Sequence, residues 1–238
     1  NNSMHTRGGK RRTHTSISNI KKPHNRIIFG APGTGKSFTI SEDKKNIFDE
    51  KDCERVTFHP NYSYAQFVGA YKPIVKEKDD TTKEEFVSYE FVPGPFTRVL
   101  INSLNNENTP NLLIIEELNR ANPAGVFGDV FQLLDRDSNG KSKYTINISE
   151  EMKKYICGKL NKQDMIDYIK KYGLYIPENM YIWTTMNSAD QGVFPMDSAF
   201  KRRWSFEYLD IDAGENSLES KGCNKIKLKN GTAYGEYN

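Results

Sequence analysis

The run Gly30-Ala31-Pro32-Gly33-Thr34-Gly35-Lys36-Ser37 has the spacing G-x-x-x-x-G-K-[ST], and each residue type in it answers a demand of polyphosphate chemistry. Gly30, Gly33 and Gly35 let the backbone turn tightly and aim its N–H groups inward. With the N-terminus of the following helix, those groups form a nest for phosphate oxygens. Lys36 brings positive charge to the β- and γ-phosphates, and Ser37 offers a hydroxyl to Mg²⁺. Such a site also needs an acid for the metal and a group that positions water. Glu116-Glu117 follows the apolar run Leu112-Leu113-Ile114-Ile115, and open α/β sheets bind ligands at the carboxyl ends of such strands. Glu116 suits the magnesium shell; Glu117 suits the orientation and deprotonation of the attacking water. Asn187 ends another predicted core strand, where a neutral amide can bind the γ-phosphate or the water without adding negative charge. Arg202 and Arg203 follow a short predicted helix, and an arginine from a neighbouring subunit can balance the transition-state charge left over by Lys36 and Mg²⁺.

The elements that must carry these groups alternate between strand and helix signals. Arg26–Phe29 reads as a buried strand entering the loop, and a helix leaves it at Ser37 and fades near Asn46. Arg55–Phe58 is a second strand, running into the ring-rich turn His59–Tyr64 and a short helix over Tyr64–Val68. Lys76–Glu85 is charged and exposed, and Phe86–Val92 alternates as a strand. Gly94-Pro95 opens a helix with Phe96, Val99, Leu100 and Leu104 inward. Leu112–Ile115 reads as a central parallel strand, buried on both faces. Asn122-Pro123 caps a helix facing inward with Val126, Phe127, Val130, Phe131 and Leu134, and Lys143–Ile148 is predicted as a short strand.

Residues 149–173 read as an inserted helix pair, capped by Ser149 and Asn161 and stopped by Gly158 and Gly173. Met180–Thr185 is a core strand, Asp197 starts a short helix, and Trp204–Leu209 is the last strand. The alternation predicts an α/β fold, a mostly parallel sheet with helices on both faces. Asn161-Lys162-Gln163-Asp164 spells N-K-x-D, a guanine-reading pattern where it follows a core strand; here it opens an amphipathic helix and reads as capping.

Composition sets the bounds. The chain has 238 residues, 36% hydrophobic and 27% charged, suiting one large α/β domain or one domain plus a small extension. No run approaches a membrane span, and the N-terminus has no apolar signal region. Cys53, Cys157 and Cys223 are far apart, fit a reducing cytoplasm, and share no ligand spacing with the histidines. Of the net charge of +3, residues 1–24 contribute six basic side chains and no acid, so the remainder is mildly acidic. The segment 1–24 reads as an unstructured basic tail, a solvated linker or, alternatively, a contact for nucleic acid. The domain is expected over 25–212, with 213–238 irregular.

With these residues in place, the sequence resembles the McrB family of AAA+ NTPases, the GTP-hydrolysing motors of McrBC-type methylation-dependent restriction systems. The resemblance covers about residues 25–212. It is carried by the phosphate loop, L-L-I-I-E-E-L-N-R over Leu112–Arg120, M-N-S-A-D over Met186–Asp190, K-R-R-W over Lys201–Trp204, and the stretches Phe58–Tyr64 and Phe67–Pro73. It implies a Walker A loop at Gly30–Ser37 and Walker B positions at Glu116 and Glu117, with Glu117 catalytic. It further implies sensor 1 at Asn187 within a signature running to Asp190, and Arg202 and Arg203 near a neighbour's nucleotide. Asn119 belongs to the E-x-N-R-A-N signature, and Arg120 is implied to act across the subunit interface. It also implies hexameric rings, Mg²⁺ as cofactor with GTP or ATP as substrate, and a McrC-like nuclease partner, with DNA bound through other domains or the complex.

The chain departs from the family at Glu116, where Asp is common, and at residues 149–173, which are extra. No helical lid is read after Leu209, so the expected core is truncated before it. Two alternatives stay open: a remodelling ATPase of the MoxR or dynein-related kind without a nuclease partner, and a nucleotide-gated scaffold that barely hydrolyses.

Overall fold

The structure is a computed structural model that describes residues 17–77, 85–188 and 193–210. Its first half runs β1 (Asn25–Gly30), α1 (Lys36–Lys44), β2 (Cys53–Thr57), α2 (Tyr64–Phe67), β3 (Gly69–Glu77), β4 (Glu85–Pro93) and α3 (Pro95–Asn105). The second runs β5 (Asn111–Glu116), α4 (Pro123–Phe127), α5 (Glu150–Lys159), α6 (Gln163–Tyr172), β6 (Met180–Asn187), α7 (Ser198–Lys201) and β7 (Ser205–Tyr208). Five strands form one sheet in the order β2-β5-β6-β1-β7, with every pairing parallel. The predicted α/β fold is therefore present, and β3 and β4 add a separate antiparallel ribbon.

The sheet divides the core because successive strand side chains point to opposite faces. Ile27, Leu113, Ile115 and Ile182 enter the larger core, which holds Phe96 and Leu100 of α3, Val126 and Phe127 of α4, and the inner faces of α5 and α6. Ile28, Leu112, Ile114, Tyr181 and Trp183 enter a smaller core closed by Ile40 of α1 and by Phe48. Helices thus cover both faces, which is why Leu112–Ile115 is apolar at every position rather than alternating. The helix pair expected over 149–173 joins the larger core through Met152, Ile156, Met165 and Ile169.

Several local expectations are corrected. No strand forms over Lys143–Ile148; Ile146 makes one isolated bridge to Leu174, so its alternation finds no continuous partner. Gly158 lies inside α5, and Asn161 is not the cap of α6, which begins after Lys162 without a side-chain cap. Gly173 does end α6, at φ 99. The helix expected to run on from Pro123 changes to a 3-10 turn over Gly128–Leu134, because Gly128 sits at φ 50 and ψ −129, outside helical geometry. A Cβ there would meet the Tyr64 ring at 2.7 Å, so only glycine fits.

β3 escapes the sequence pattern because Lys72, Pro73 and Lys76 interrupt its apolar residues; a two-stranded ribbon tolerates Pro73 since it has no second neighbour to pair. The tail boundary also moves. Residues 17–24 pack on the domain: His24 stacks on Tyr181 at 4.4 Å, and Trp183 Nε1 donates to the Pro23 carbonyl at 3.0 Å. Residues 1–16 and the irregular segment 213–238 lie outside the described residues.

Arg26 ties β1 to its surroundings. Its side chain is 1% exposed, pairs with Asp43 of α1 at 2.6 Å and Glu207 of β7 at 2.5 Å, and lies over the Trp183 ring at 5.1 Å. Burial pushes the Asp43 carboxyl up, but hydrogen bonds from Lys22 and Arg26 outweigh it and hold the group below its ordinary value. A depressed acid contributes stability above its unfolded pKa and loses it as pH falls through the folded one. Asp43→Asn is therefore expected to be less stable than the wild type at neutral pH. In urea titrations the gap closes as pH drops below about 4, the ordinary carboxylate value.

Candidate active site

β1, β6 and β5 end side by side, so their C-terminal residues meet without any long-range loop having to bring them together. Gly30 is the register partner of Asn187, and Thr57 that of Glu116. The Ser188 N–H donates to the Gly30 carbonyl at 3.1 Å, joining the start of the phosphate loop to the end of β6. Gly33 and Gly35 both lie at φ 83, the left-handed region that favours glycine. Gly30 is needed for a different reason: a Cβ there would stand 2.3 Å from the Leu209 carbonyl oxygen. Gly35 is the N-cap of α1 and supplies no side chain to its free N–H groups, which leaves them for an anion.

The loop side chains are ordered by their own backbone. Thr34 Oγ1 donates to the Ala31 carbonyl at 2.9 Å. Lys36 is buried beside the loop and donates to the carbonyls of Ala31 at 2.7 Å and Gly30 at 3.2 Å. Ser37 Oγ donates to Glu116 Oε2 at 2.9 Å, so the loop serine and the first acid share one spot. Thr185, on β6, donates to the same Oε2 at 2.5 Å and accepts from the Glu117 N–H at 3.1 Å. Arg55 of β2 pairs with the other oxygen, Glu116 Oε1. The hydroxyls of Ser37 and Thr185 and the Glu116 carboxylate are all hard oxygen donors, the set that suits Mg²⁺, and these residues fit the ion.

Glu117 occupies φ 58 and ψ 46, the only left-handed non-glycine conformation among the described residues. Such a conformation costs on the order of 1–3 kcal/mol and persists where surrounding contacts impose it. The contacts are Asn187 Nδ2, which donates to both Glu117 oxygens at 3.0 and 3.2 Å, and Arg120 Nε, at 3.1 Å from Oε2. Asn119 is buried, and its Nδ2 donates to the Asn187 carbonyl at 3.0 Å, which fixes the end of β6 from below. The structure thus brings together Ser37, Glu116, Glu117, Asn119, Arg120 and Asn187.

The two arginines separate. Arg203 Nε and Nη2 hold Asp135 at 2.9 and 2.7 Å, Nη1 donates to the Ala199 carbonyl at 2.7 Å, and the guanidinium covers the Phe131 ring at 4.0 Å. The Arg203 side chain is 8% exposed and engaged within its own domain. Arg202, at the end of α7, is exposed. Asp190 lies outside the described residues. Thr185 and Arg55 escaped the sequence reading. The Thr184-Thr185 pair, two hydroxyls on an otherwise apolar strand just before Asn187, is the signal for the first. Arg55 offers none, because its use depends on the pairing of β2 with β5.

A phosphate loop after β1, paired acids at the end of β5 and an amide at the end of β6 narrow the family, and residues 25–204 match the AAA domain of the dynein-related subfamily. The chain belongs to that family. Among curated relatives of this AAA domain, it is 46% identical over 232 residues to the type II restriction enzyme BsuMI component YdiS of Bacillus subtilis (strain 168), covering 87% of this chain and 65% of that protein. It is 31% identical over 199 residues to the type IV methyl-directed restriction enzyme EcoKMcrB subunit of Escherichia coli (strain K12), covering 82% of this chain and 36% of that protein. The chain thus spans under two-thirds of the length of the curated relatives it matches. The AAA domain is a P-loop NTPase fold, and the McrB resemblance agrees with these relatives. No helix of the described residues is long and apolar enough to cross a membrane.

Two outcomes follow from the geometry. Lys36→Ala abolishes binding of a fluorescent nucleoside triphosphate in an anisotropy titration, with the fold unchanged by circular dichroism. Arg203→Ala takes from Asp135 the guanidinium that holds it and lowers unfolding stability by roughly 1–2 kcal/mol in urea, between the loss for an exposed ion pair and that for a fully buried one.

Proposed function

We propose that this AAA domain hydrolyses a nucleoside triphosphate with Mg²⁺, as the motor of a restriction complex of the McrBC kind. The observation that carries the hydrolytic reading is the Glu117 carboxylate, held in a strained backbone position by Asn187 beside the phosphate loop. A carboxylate so fixed takes a proton from a water aligned with the γ-phosphate, and the Asn187 amide orients that water or the phosphate. Lys36 and the N–H groups of the loop hold the β- and γ-phosphates and spread their charge. Ser37 and Glu116, supported by Thr185, would hold Mg²⁺, which would supply positive charge against the negative charge developing on the phosphates.

The resemblance to McrB makes GTP the nucleotide to test first and ATP the alternative. It also supports assembly into homo-hexamers, with Arg202 reaching the neighbour's site and Arg120 facing the same interface. The restriction reading draws on the names of the two relatives, both components of restriction enzymes. In that reading a McrC-like subunit supplies the nuclease, and DNA is bound by other parts of the complex.

The experiment pairs binding with turnover. Glu117→Gln is expected to bind nucleotide as the wild type does and to lose about 100-fold or more in phosphate release, the contribution of a general base. Rapid turnover by this variant would remove Glu117 from its role. Arg202→Ala keeps the fold and nucleotide binding and loses turnover only under conditions where the protein assembles. Turnover unchanged in the assembled protein would show that Arg202 does not act in trans. Tighter binding of ATP than GTP moves the proposal toward the wider AAA class.

A further inference from the structure

We propose that Arg55 is a positioning residue that sets the metal dependence of this site, by occupying one oxygen of Glu116 and opposing the cation at the other. The inference rests on the reading of Glu116 and Ser37 as the magnesium-holding pair. Arg55 lies on edge strand β2, in register with Ile114, two residues before Glu116 on the neighbouring strand. Its guanidinium forks: Nη1 pairs with Glu116 Oε1, and Nη2 donates to Ser41 Oγ on α1 at 3.2 Å. The other carboxylate oxygen, Oε2, is the one that faces Ser37 and Thr185. The carboxylate is therefore divided between a counter-ion on one side and hydroxyl donors on the other.

Two consequences follow from charge and geometry. Glutamate has one more rotatable bond than aspartate, and a fork anchored on both Glu116 and Ser41 removes that freedom by fixing Oε1. The same guanidinium places a full positive charge one carboxylate away from the seat of a divalent cation, at a position where Glu116 is only 13% exposed. Like charges at such separations repel appreciably in a partly buried site. Arg55 thus fixes Glu116 Oε1 and, as the larger effect, lowers the attraction of the empty loop for the free cation. The ion then binds well only when the triphosphate brings its own negative charge.

The test is the Mg²⁺ concentration that gives half-maximal binding of fluorescent GTP, and in parallel fluorescent ATP, to the full chain. Arg55→Gln removes the charge and is expected to lower that concentration roughly three- to tenfold. Arg55→Lys keeps the charge but not the fork to Ser41, so its midpoint is expected to stay at or above that of the wild type. A purely structural role for Arg55 would shift the thermal unfolding temperature of the nucleotide-free protein and leave the Mg²⁺ midpoint alone. An unchanged or higher midpoint in Arg55→Gln, or the same fall in both variants, overturns the inference while leaving the site reading intact. Failure of the wild type to bind either nucleotide at any Mg²⁺ concentration overturns the site reading and this inference together.

Discussion

Glu116 is the point on which the site depends, because a carboxylate at the end of a buried strand must find partners or stay solvated. Here its partners come from three other elements: Ser37 from α1, Thr185 from β6 and Arg55 from β2. Those contacts make the acid a junction between the phosphate loop, the central strands and the sheet edge. The parallel sheet makes the junction possible. With β2, β5, β6 and β1 all running the same way, their C-terminal residues arrive together at one edge. The same register places Asn187 beside Gly30 and so beside the loop that begins there.

The neighbouring acid is held differently. Glu117 is fixed by its backbone as much as by its side chain, since its left-handed φ turns the chain out of β5 and into the turn over Leu118–Arg120. Thr185 couples the two acids, donating to one and accepting from the N–H of the other. The different roles proposed for Glu116 and Glu117 rest on their different surroundings. One is bound up in hydroxyl and guanidinium contacts; the other is held by an amide and an arginine. This is the environment-driven separation of roles that adjacent carboxylates need if they are to do different work.

Much of the fold was legible because its signals are local. Leu112–Ile115 is apolar at four consecutive positions, and only a strand covered on both faces requires that. Gly94-Pro95 and Asn122-Pro123 start helices by fixed capping chemistry, and Asp197 caps α7 with its own side chain. The misses come from competing physics. Gly158 stayed inside α5 because the burial of Met152 and Ile156 outweighs the cost of one helical glycine. Lys143–Ile148 had the alternation of a strand but no continuous neighbour to pair with. Arg202 and Arg203 are chemically identical in sequence, and only the position of Asp135 and Phe131 decides which one is consumed by the core.

By itself the sequence determined the phosphate loop, the paired acids at a strand end and the alternating elements that carry them, because spacing and residue type suffice for loops, caps and buried strands. Tertiary structure decided which oxygen of Glu116 faces Ser37, that Arg55 and Thr185 meet that carboxylate, and that Arg203 pairs with Asp135. Those outcomes depend on strand order and cross-strand register, which bring together residues as far apart as Ser37, Glu116 and Thr185. No local pattern encodes such a meeting, since its energy comes from contacts that exist only once the sheet has formed.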